Sequence, residues 1–190
     1  MSTNIGGTVT TDPSGKQNIN VQAAHTIGSD KANLSAGVFA SGTPGGNVTH
    51  GAFAAANTDK GGIGIQHSTT PGFGKTMSEN AHVNLFKNDQ HAFSATASHS
   101  RTQMENGLKF DRVGGGTNWN SAQGHAASVG VTHVPQFNMT TLDAAAKANL
   151  WTSQNKASTF DLNANASRHL NGPFKGQNNF GAGVGFTHRF

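Results

Sequence analysis

The sequence predicts an all-β protein, an antiparallel meander of about 10–12 short strands that forms a barrel or a sandwich. Apolar and polar residues alternate with a period of two along most of the chain, which is typical of strands with one apolar face. Clusters of Gly, Pro and Asn, which favour turns, recur at intervals of roughly 8–12 residues. With 25 glycines and 34% hydrophobic residues, little apolar area offsets the entropy lost on ordering, so we expect marginal stability in water.

The alternation places the strands along the chain in order. In residues 32–40, Leu34 and Val38 fall on one face, and in residues 81–86 Val83 and Leu85 do the same. Further alternating segments are residues 18–25, 63–65, 93–97, 129–131, 160–167 and 180–187. The turns that separate them include residues 12–15, 42–46, 57–62, 71–72, 87–90, 105–107, 114–116, 154–156 and 171–173. The alternation leaves open whether the apolar face points inward or outward.

One segment, residues 142–148, consists of strong helix formers. It lies inside the last of three related segments, residues 6–34, 61–86 and 124–151, each of which reads as strand, proline turn, loop and strand. Because helix propensity is a weak preference that tertiary context overrides, the repeat predicts a strand here. The spacing between the copies is irregular, which indicates duplication within one sheet system and not a solenoid.

Composition and motifs argue against several classes of protein. There is no cysteine, which excludes disulfides and thiolate metal sites, and no apolar run of about 18 residues that would predict a membrane-spanning helix. The N-terminal residues do not resemble a signal peptide. No catalytic or phosphate-binding motif is present, and the nine carboxylates are scattered singly. We therefore expect no enzymatic activity, no cofactor, no metal and no small-molecule substrate.

Several motifs resemble those of one family. Residues 67–74 (HSTTPGFG), followed by 83–86 (VNLF), are similar to the first glycine-rich unit of the attacins, the inducible antibacterial proteins of insects. Residues 110–116 (FDRVGGG) resemble the join between the two attacin glycine-rich units, and residues 148–151 (ANLW) the second unit. The likeness covers nearly the whole chain, more loosely over residues 5–56. It implies one structural domain made of an N-terminal region (1–56), a first glycine-rich unit (57–113) and a second (114–190).

The resemblance also implies a function. Attacins act on the envelope of Gram-negative bacteria, and for this family lipopolysaccharide binding and raised outer-membrane permeability are expected. By that likeness, the chain is an antibacterial effector of insect innate immunity, secreted into the haemolymph. The family offers no catalytic residues to transfer.

The C-terminal part offers the best candidate site for envelope contact. Its cations have no acidic residue after Asp161 to neutralise them, and aromatic residues are interleaved with them. The predicted contact residues are Arg168, Lys175, Arg189, Phe174, Phe180, Phe186 and Phe190. Cations beside aromatic rings suit a surface of anionic phosphates above acyl chains. The alternative is that Phe180 and Phe186 are core residues and the cations are merely solvated.

Two weaker features remain. A second basic group, Arg101, Lys109 and Arg112, is diluted by nearby acidic residues. Five histidines stand in phase with the apolar faces near strand ends, either as an amphipathic rim or as unrelated polar residues: His25, His67, His99, His133 and His188. The net charge of +4 favours an anionic partner but is weak for a nucleic-acid binder, and none is expected.

The sequence is therefore compatible with three functions. The first is the envelope-binding antibacterial protein, whose partners are the outer membrane and its lipopolysaccharide. The second is an outer-membrane-type β-barrel, which suits the alternating strands but not the absence of Tyr. The third is a structural glycine-rich protein. Solubility without detergent separates the first two, and a growth-inhibition assay separates the first from the third.

Overall fold

A computed structural model describes residues 1–11, 17–29, 31–154 and 157–188. These residues form an all-β protein, as predicted, with twelve strands. The strands are β1 (Ser2–Thr11), β2 (Gln17–Gly28), β3 (Ala32–Gly42), β4 (Thr49–Thr58), β5 (Gly61–Thr70), β6 (Gly74–Lys87), β7 (His91–Met104), β8 (Lys109–Ser121), β9 (Ala126–Val134), β10 (Met139–Thr152), β11 (Ser158–Asn171) and β12 (Asn178–His188).

The strands follow one another in the sheet in chain order, β1 to β12, which confirms the predicted meander. Side chains in the connections accept the backbone N–H groups that a tight turn leaves unpaired. In the turn between β4 and β5, the Thr58 hydroxyl accepts the N–H of Gly61 at 3.2 Å. In the turn between β6 and β7, Asn88 Oδ1 accepts the N–H of His91 at 2.7 Å. The choice between a barrel and a sandwich stays a prediction.

The helix-forming segment 142–148 lies inside strand β10, as the repeat predicted. Its backbone pairs on both sides, with Ala144 opposite Val129 of β9 and Ala166 of β11. Two ladders of hydrogen bonds thus replace the intrahelical bonds and outweigh the helix preference of the four alanines.

The chain divides into two compact units, each described here by itself. Unit 1 comprises residues 1–81 and 98–111, and unit 2 comprises residues 82–97 and 112–190. The three segments predicted from the family resemblance, 1–56, 57–113 and 114–190, stay a prediction.

The apolar face of the strands is the exposed one in both units. Among the described residues, Val134 is the one hydrophobic side chain that is buried, at 2% exposure. In β3 of unit 1, Leu34 and Val38 are exposed, whereas the alternate residues Asn33 and Ser35 are half-buried. In β9 of unit 2, Val129 and Val131 are exposed, whereas the alternate residues Ser128 and Gly130 are half-buried. The alternation left this direction open, and the structure decides it.

Helix is almost absent from the described residues. A 3-10 turn, Pro135–Phe137, joins β9 to β10 and ends at Asn138, whose φ of 45° is left-handed. Asn tolerates this conformation better than most residues, since its side chain bonds locally. Within the described ranges, no helix has both the length and the apolar character needed to cross a membrane.

Candidate functional site

The turn between β11 and β12 carries two of the predicted contact residues, Phe174 and Lys175. Gly172 and Gly176 adopt φ values of 85° and 84°, which residues with a Cβ rarely adopt. The N–H of Lys175 donates to Gly172 O at 3.1 Å, and that of Gly176 donates to His169 O at 2.8 Å. The turn therefore presents Phe174 and Lys175 at its tip, both exposed, with the Phe174 ring 5.7 Å from that of His169.

Arg168 lies beside this turn, at the end of an apolar row on β11. It is exposed and stands opposite Leu142 of β10 and Asn178 of β12. Because side chains alternate across a strand, Arg168 shares its face with Phe160 and Leu162. At about 3.4 Å per residue, the row from Phe160 to Arg168 is about 27 Å long, close to the roughly 25 Å apolar band of outer-membrane strands.

Phe180 and Phe186 stand on the same face of the neighbouring strand β12. Phe180 lies opposite Ala166 and Phe186 opposite Phe160. The alternative that they are core residues is wrong, because Phe180 is 80% exposed and Phe186 66% exposed. Arg168, Phe174, Lys175 and Phe180 thus gather at the turn end of the hairpin. Phe186 lies six residues from Phe180, about 20 Å away along the strand.

Two predicted contact residues, Arg189 and Phe190, lie outside the described residues. Their contribution to the site stays a prediction.

These residues border a surface that we call the apolar face of unit 2. Its large side chains are all exposed and alternate with polar or glycine positions on the other side of the sheet. They are Val129, Val131, Leu142, Phe160, Leu162, Phe180, Val184 and Phe186. A contiguous exposed apolar surface of this kind marks an interaction site in most proteins.

An aromatic border closes this face at the end away from the β11–β12 turn, and sequence reasoning missed it. Trp151 of β10 lies opposite Phe160, which in turn lies opposite Phe186. A register shift between Asn149 and Trp151 brings the indole onto this row. Strict alternation from Leu142 would have placed Leu150, not Trp151, on the apolar face, so the sequence pattern carries no signal for the border.

The opposite, polar face of unit 2 holds a charged network. Asp161 is 5% exposed and accepts hydrogen bonds from Asn149 Nδ2 at 2.9 Å and from Lys147 Nζ at 3.0 Å. The hydrogen bond from Asn149, followed by that from Lys147, holds the pKa of Asp161 below its usual value. The charged groups are thus paired on the polar face, while the large apolar side chains lie on the other face of the sheet.

In the second predicted basic group, Arg101 is paired with a carboxylate. In unit 1, Arg101 donates two hydrogen bonds to Asp111, at 2.8 and 3.2 Å. This hydrogen bonding and the charge of Asp111 raise the pKa of Arg101. His99 also lies within 3.4 Å of both Glu79 and Asp111. Such a compensated cluster is a poorer candidate for binding anions than Arg168 and Lys175.

The histidines do not form one rim. In unit 1, His25 lies three residues before the end of β2 and His67 three residues before the end of β5, and these strands run in opposite directions. His25 is also engaged locally, with Nδ1 2.9 Å from the Thr3 hydroxyl. Within the described residues, no group of three or more His, Cys, Asp or Glu side chains is placed to hold a metal ion.

Comparison with known proteins gives one consistent result. Residues 71–190 match the family described as "Attacin, C-terminal region", and residues 5–69 match "Attacin, N-terminal region". Attacin-A of Glossina morsitans morsitans is 47% identical over 187 residues, which cover 98% of this chain and 90% of that relative. Attacin-A of Drosophila melanogaster is 36% identical over 188 residues, covering 98% and 84%. No solved structure matches.

The fold and the surface define a glycine-rich, cationic, all-β protein that displays its apolar side chains. The family matches show that the chain belongs to the attacin family, which confirms the resemblance of its motifs. Its homologues identify it as an antibacterial effector of insect immunity.

Proposed function

We propose that this chain acts on the outer membrane of Gram-negative bacteria, where it binds lipopolysaccharide and raises the permeability of the membrane without enzymatic chemistry. We further propose that it does so after secretion into the haemolymph, as the resemblance to the attacins implies. The observation that carries the proposal is the exposure of the apolar face of unit 2 between a cationic end and an aromatic border.

Each part of this face suits one layer of a lipid surface. Arg168 and Lys175 meet the phosphates, to which each basic residue contributes about 1 kcal/mol. The apolar side chains between Arg168 and Phe160 enter the acyl region, where each contributes about 1.5–3 kcal/mol once fully buried. Trp151 has the amphipathic ring that favours the membrane interface. Because eight large apolar side chains outweigh two exposed cations, burial holds the protein on the surface and charge directs it there.

The polar face of unit 2 supports the proposed rise in permeability. Once the apolar face lies against acyl chains, the sheet carries Lys147, Asp161 and Asn149 on its other side into the same layer. These groups are already paired and need no further protein partner, and the Lys147 side chain, 42% exposed, stays accessible to water. A polar, hydrated sheet surface inside the acyl layer gives small solutes a path that the intact membrane denies them.

The test is binding and permeabilisation by an Arg168→Gln/Lys175→Gln double variant. Affinity for vesicles containing lipopolysaccharide should fall about 10–30-fold at low salt, since two contributions of about 1 kcal/mol are lost. The difference from the unmodified protein should shrink in 1 M NaCl, where charges are screened. Uptake of a hydrophobic dye by Gram-negative cells should fall in parallel. Lys87→Gln, an exposed lysine of the same unit at the β6–β7 turn, is the matched control.

Two results would contradict the proposal. If the unmodified protein failed to bind lipopolysaccharide vesicles or to inhibit the growth of Gram-negative cells, a structural glycine-rich role would be favoured. If Lys87→Gln weakened binding as much as the double variant, the contact would be diffuse and not located at the β11–β12 turn.

A further inference from the structure

The polar face of unit 1 contains a pocket with a volume of about 490 Å³. This is within the range of roughly 300–1,000 Å³ that is usual for small-ligand sites. It is formed by strands β2 to β6, and its lining side chains belong to residues between 20 and 80. The polar lining side chains are Asn20, Gln22, Ser41, Gln66 and Asn80.

The chemistry of the lining is neutral and rich in hydrogen-bonding groups. Four amides and one hydroxyl supply both donors and acceptors, and no lining side chain is ionisable. Within the described part of the chain, the four amides have no side-chain hydrogen bond to another residue. Their donors and acceptors are therefore available to a ligand. A ligand that left these groups unpaired would bind poorly, because the groups would lose their hydrogen bonds to water without replacement.

Two aromatic rings complete the pocket, and the glycines opposite them explain how they are placed. Phe39 stands opposite Gly51, and Phe53 opposite Gly37, on neighbouring strands. A Cβ on Gly37 would come within 2.8 Å of Phe53 Cζ, and one on Gly51 within 2.9 Å of the Phe39 ring. Each ring thus lies across a glycine, half-buried and close to the sheet. Only the absence of a side chain on the opposite strand permits this.

Each ring also has an amide beside it in the sheet. Gln22 stands opposite Phe39, and Gln66 opposite Phe53, in the backbone register. The pocket therefore repeats one arrangement twice: an aromatic ring flanked by a glycine on one side and a side-chain amide on the other.

We propose that this pocket binds a short neutral saccharide. A sugar ring has apolar C–H faces that pack on an aromatic ring and hydroxyl groups that both donate and accept hydrogen bonds. Phe39 and Phe53 fit the first property, and the amides and Ser41 fit the second. The neutral lining matches an uncharged ligand, since a phosphate or carboxylate would be desolvated here without a cation to meet it.

The site is separate from the envelope contact proposed above. Asn20, Gln22, Phe39 and Phe53 lie on the polar face of unit 1, whereas Arg168 and the β11–β12 turn belong to unit 2. Loss of saccharide binding and loss of lipopolysaccharide vesicle binding are therefore distinguishable in single variants.

The test is a titration of the full-length protein with maltotriose and with mannotriose, in which binding is monitored by saturation-transfer NMR. Gln66→Ala and Asn80→Ala, both at exposed positions, should each weaken binding by about tenfold or more. Phe53→Leu, which keeps apolar area but removes the ring, should do the same, with circular dichroism to check that the sheet is retained. Asn165→Ala is the matched control, because Asn165 covers Gly181 in unit 2 as Asn80 covers Gly64 in unit 1.

Further arms distinguish the source of the sugar and the class of ligand. Binding of delipidated neutral O-polysaccharide but not of dextran would place the ligand on the bacterial envelope, and equal binding of both would indicate a general saccharide site. The proposal is overturned if neither trisaccharide nor polysaccharide binds, if Gln66→Ala and Asn80→Ala leave binding unchanged, or if uridine binds in place of the sugars, which would make this a nucleobase site.

Discussion

The two units use the same alternating strands but place their aromatic residues on opposite faces. In unit 1, Phe39 and Phe53 lie on the polar face, packed across glycines beside neutral amides. In unit 2, Phe160, Phe180 and Phe186 lie on the exposed apolar face, and the polar face has an ion pair between Lys147 and Asp161. The comparison teaches that one alternating pattern supports either a pocket or an exposed apolar surface, depending on which face of the sheet carries the aromatic rings.

The largest effect is expected from a charge in the middle of the apolar face of unit 2. Leu162→Arg should weaken binding to lipopolysaccharide vesicles about 30-fold or more, because a cation at the centre of an apolar band costs about 2–4 kcal/mol. Val38→Arg on the apolar face of unit 1, which has no aromatic border among its described residues, should cost less. Gln90→Arg, at an exposed position of the β6–β7 turn in unit 2, is the charge control. Equal losses at Leu162 and Val38 would show that both units enter the lipid alike.

Glycine-to-alanine substitutions compare the two units through their effects on the free energy of unfolding. Gly51→Ala in unit 1 should destabilise by about 1–3 kcal/mol, since its Cβ would meet His67 O and the Phe39 ring. Gly183→Ala in unit 2 should change stability by less than about 0.5 kcal/mol, because nothing lies within 4 Å of its Cβ position. Denaturant unfolding followed by circular dichroism measures both.

Tryptophan fluorescence reports the unfolding of unit 2 separately from that of unit 1. Both tryptophans, Trp119 and Trp151, belong to unit 2, and unit 1 has none. Gly51→Ala is expected to move the unfolding transition seen by circular dichroism more than that seen by fluorescence. Equal shifts by the two probes would mean that the units unfold together.

Acid is expected to act on unit 2 through Asp161. Its pKa is lowered in the folded state, so its stabilising contribution is complete above the ordinary carboxyl pKa of about 3.9 and is lost as pH falls through the lower folded value. The fluorescence-detected midpoint in urea should therefore fall between pH 5 and pH 3. Asp161→Asn should have a lower midpoint at pH 7 and a weaker dependence on pH. A variant with the same pH dependence as the unmodified protein would assign the acid response to other carboxylates.

The smallest effect is expected at the exposed ion pair of unit 1. Arg101→Gln removes both hydrogen bonds to Asp111, yet solvent and salt already screen this pair. The unfolding midpoint should change little, and not at all in 1 M NaCl. A clear loss that persisted in high salt would show that this cluster organises unit 1.

Much of the fold could be predicted, because period-two alternation and turn residues are local signals. They placed Leu34 with Val38 and Val83 with Leu85 on strand faces, and the repeat correctly made a strand of the helix-forming residues 142–148. The turn predicted at residues 114–116 was wrong, because these glycines lie inside β8, paired with β9. The direction of the apolar face could not be predicted, since inward and outward strands have the same period. The exposure of Phe180 and Phe186 is a property of the assembled sheet and not of β12 alone.

The clustering of the candidate contact residues could be predicted in part for a related reason, whereas their role stays a prediction. Arg168, Lys175 and Phe174 are close in sequence, so one hairpin brings them together. Trp151 was missed because the register shift after Asn149 breaks the alternation on which the prediction depended. The pocket was missed because Phe39 and Phe53 occupy positions that the alternation assigns to the polar face. The two rings come together through pairing between strands β3 and β4, which spacing along one strand does not reveal.

The order of the strands has a consequence for how the protein reaches its working form. Each strand pairs only with its neighbours in the chain, so every hairpin closes a short loop and the mean sequence separation between contacting residues is low for a β protein. Ordering can then proceed hairpin by hairpin, with each new strand finding a template already formed. A chain built in this way has no distant strand to wait for, and it can therefore complete its structure progressively along its length.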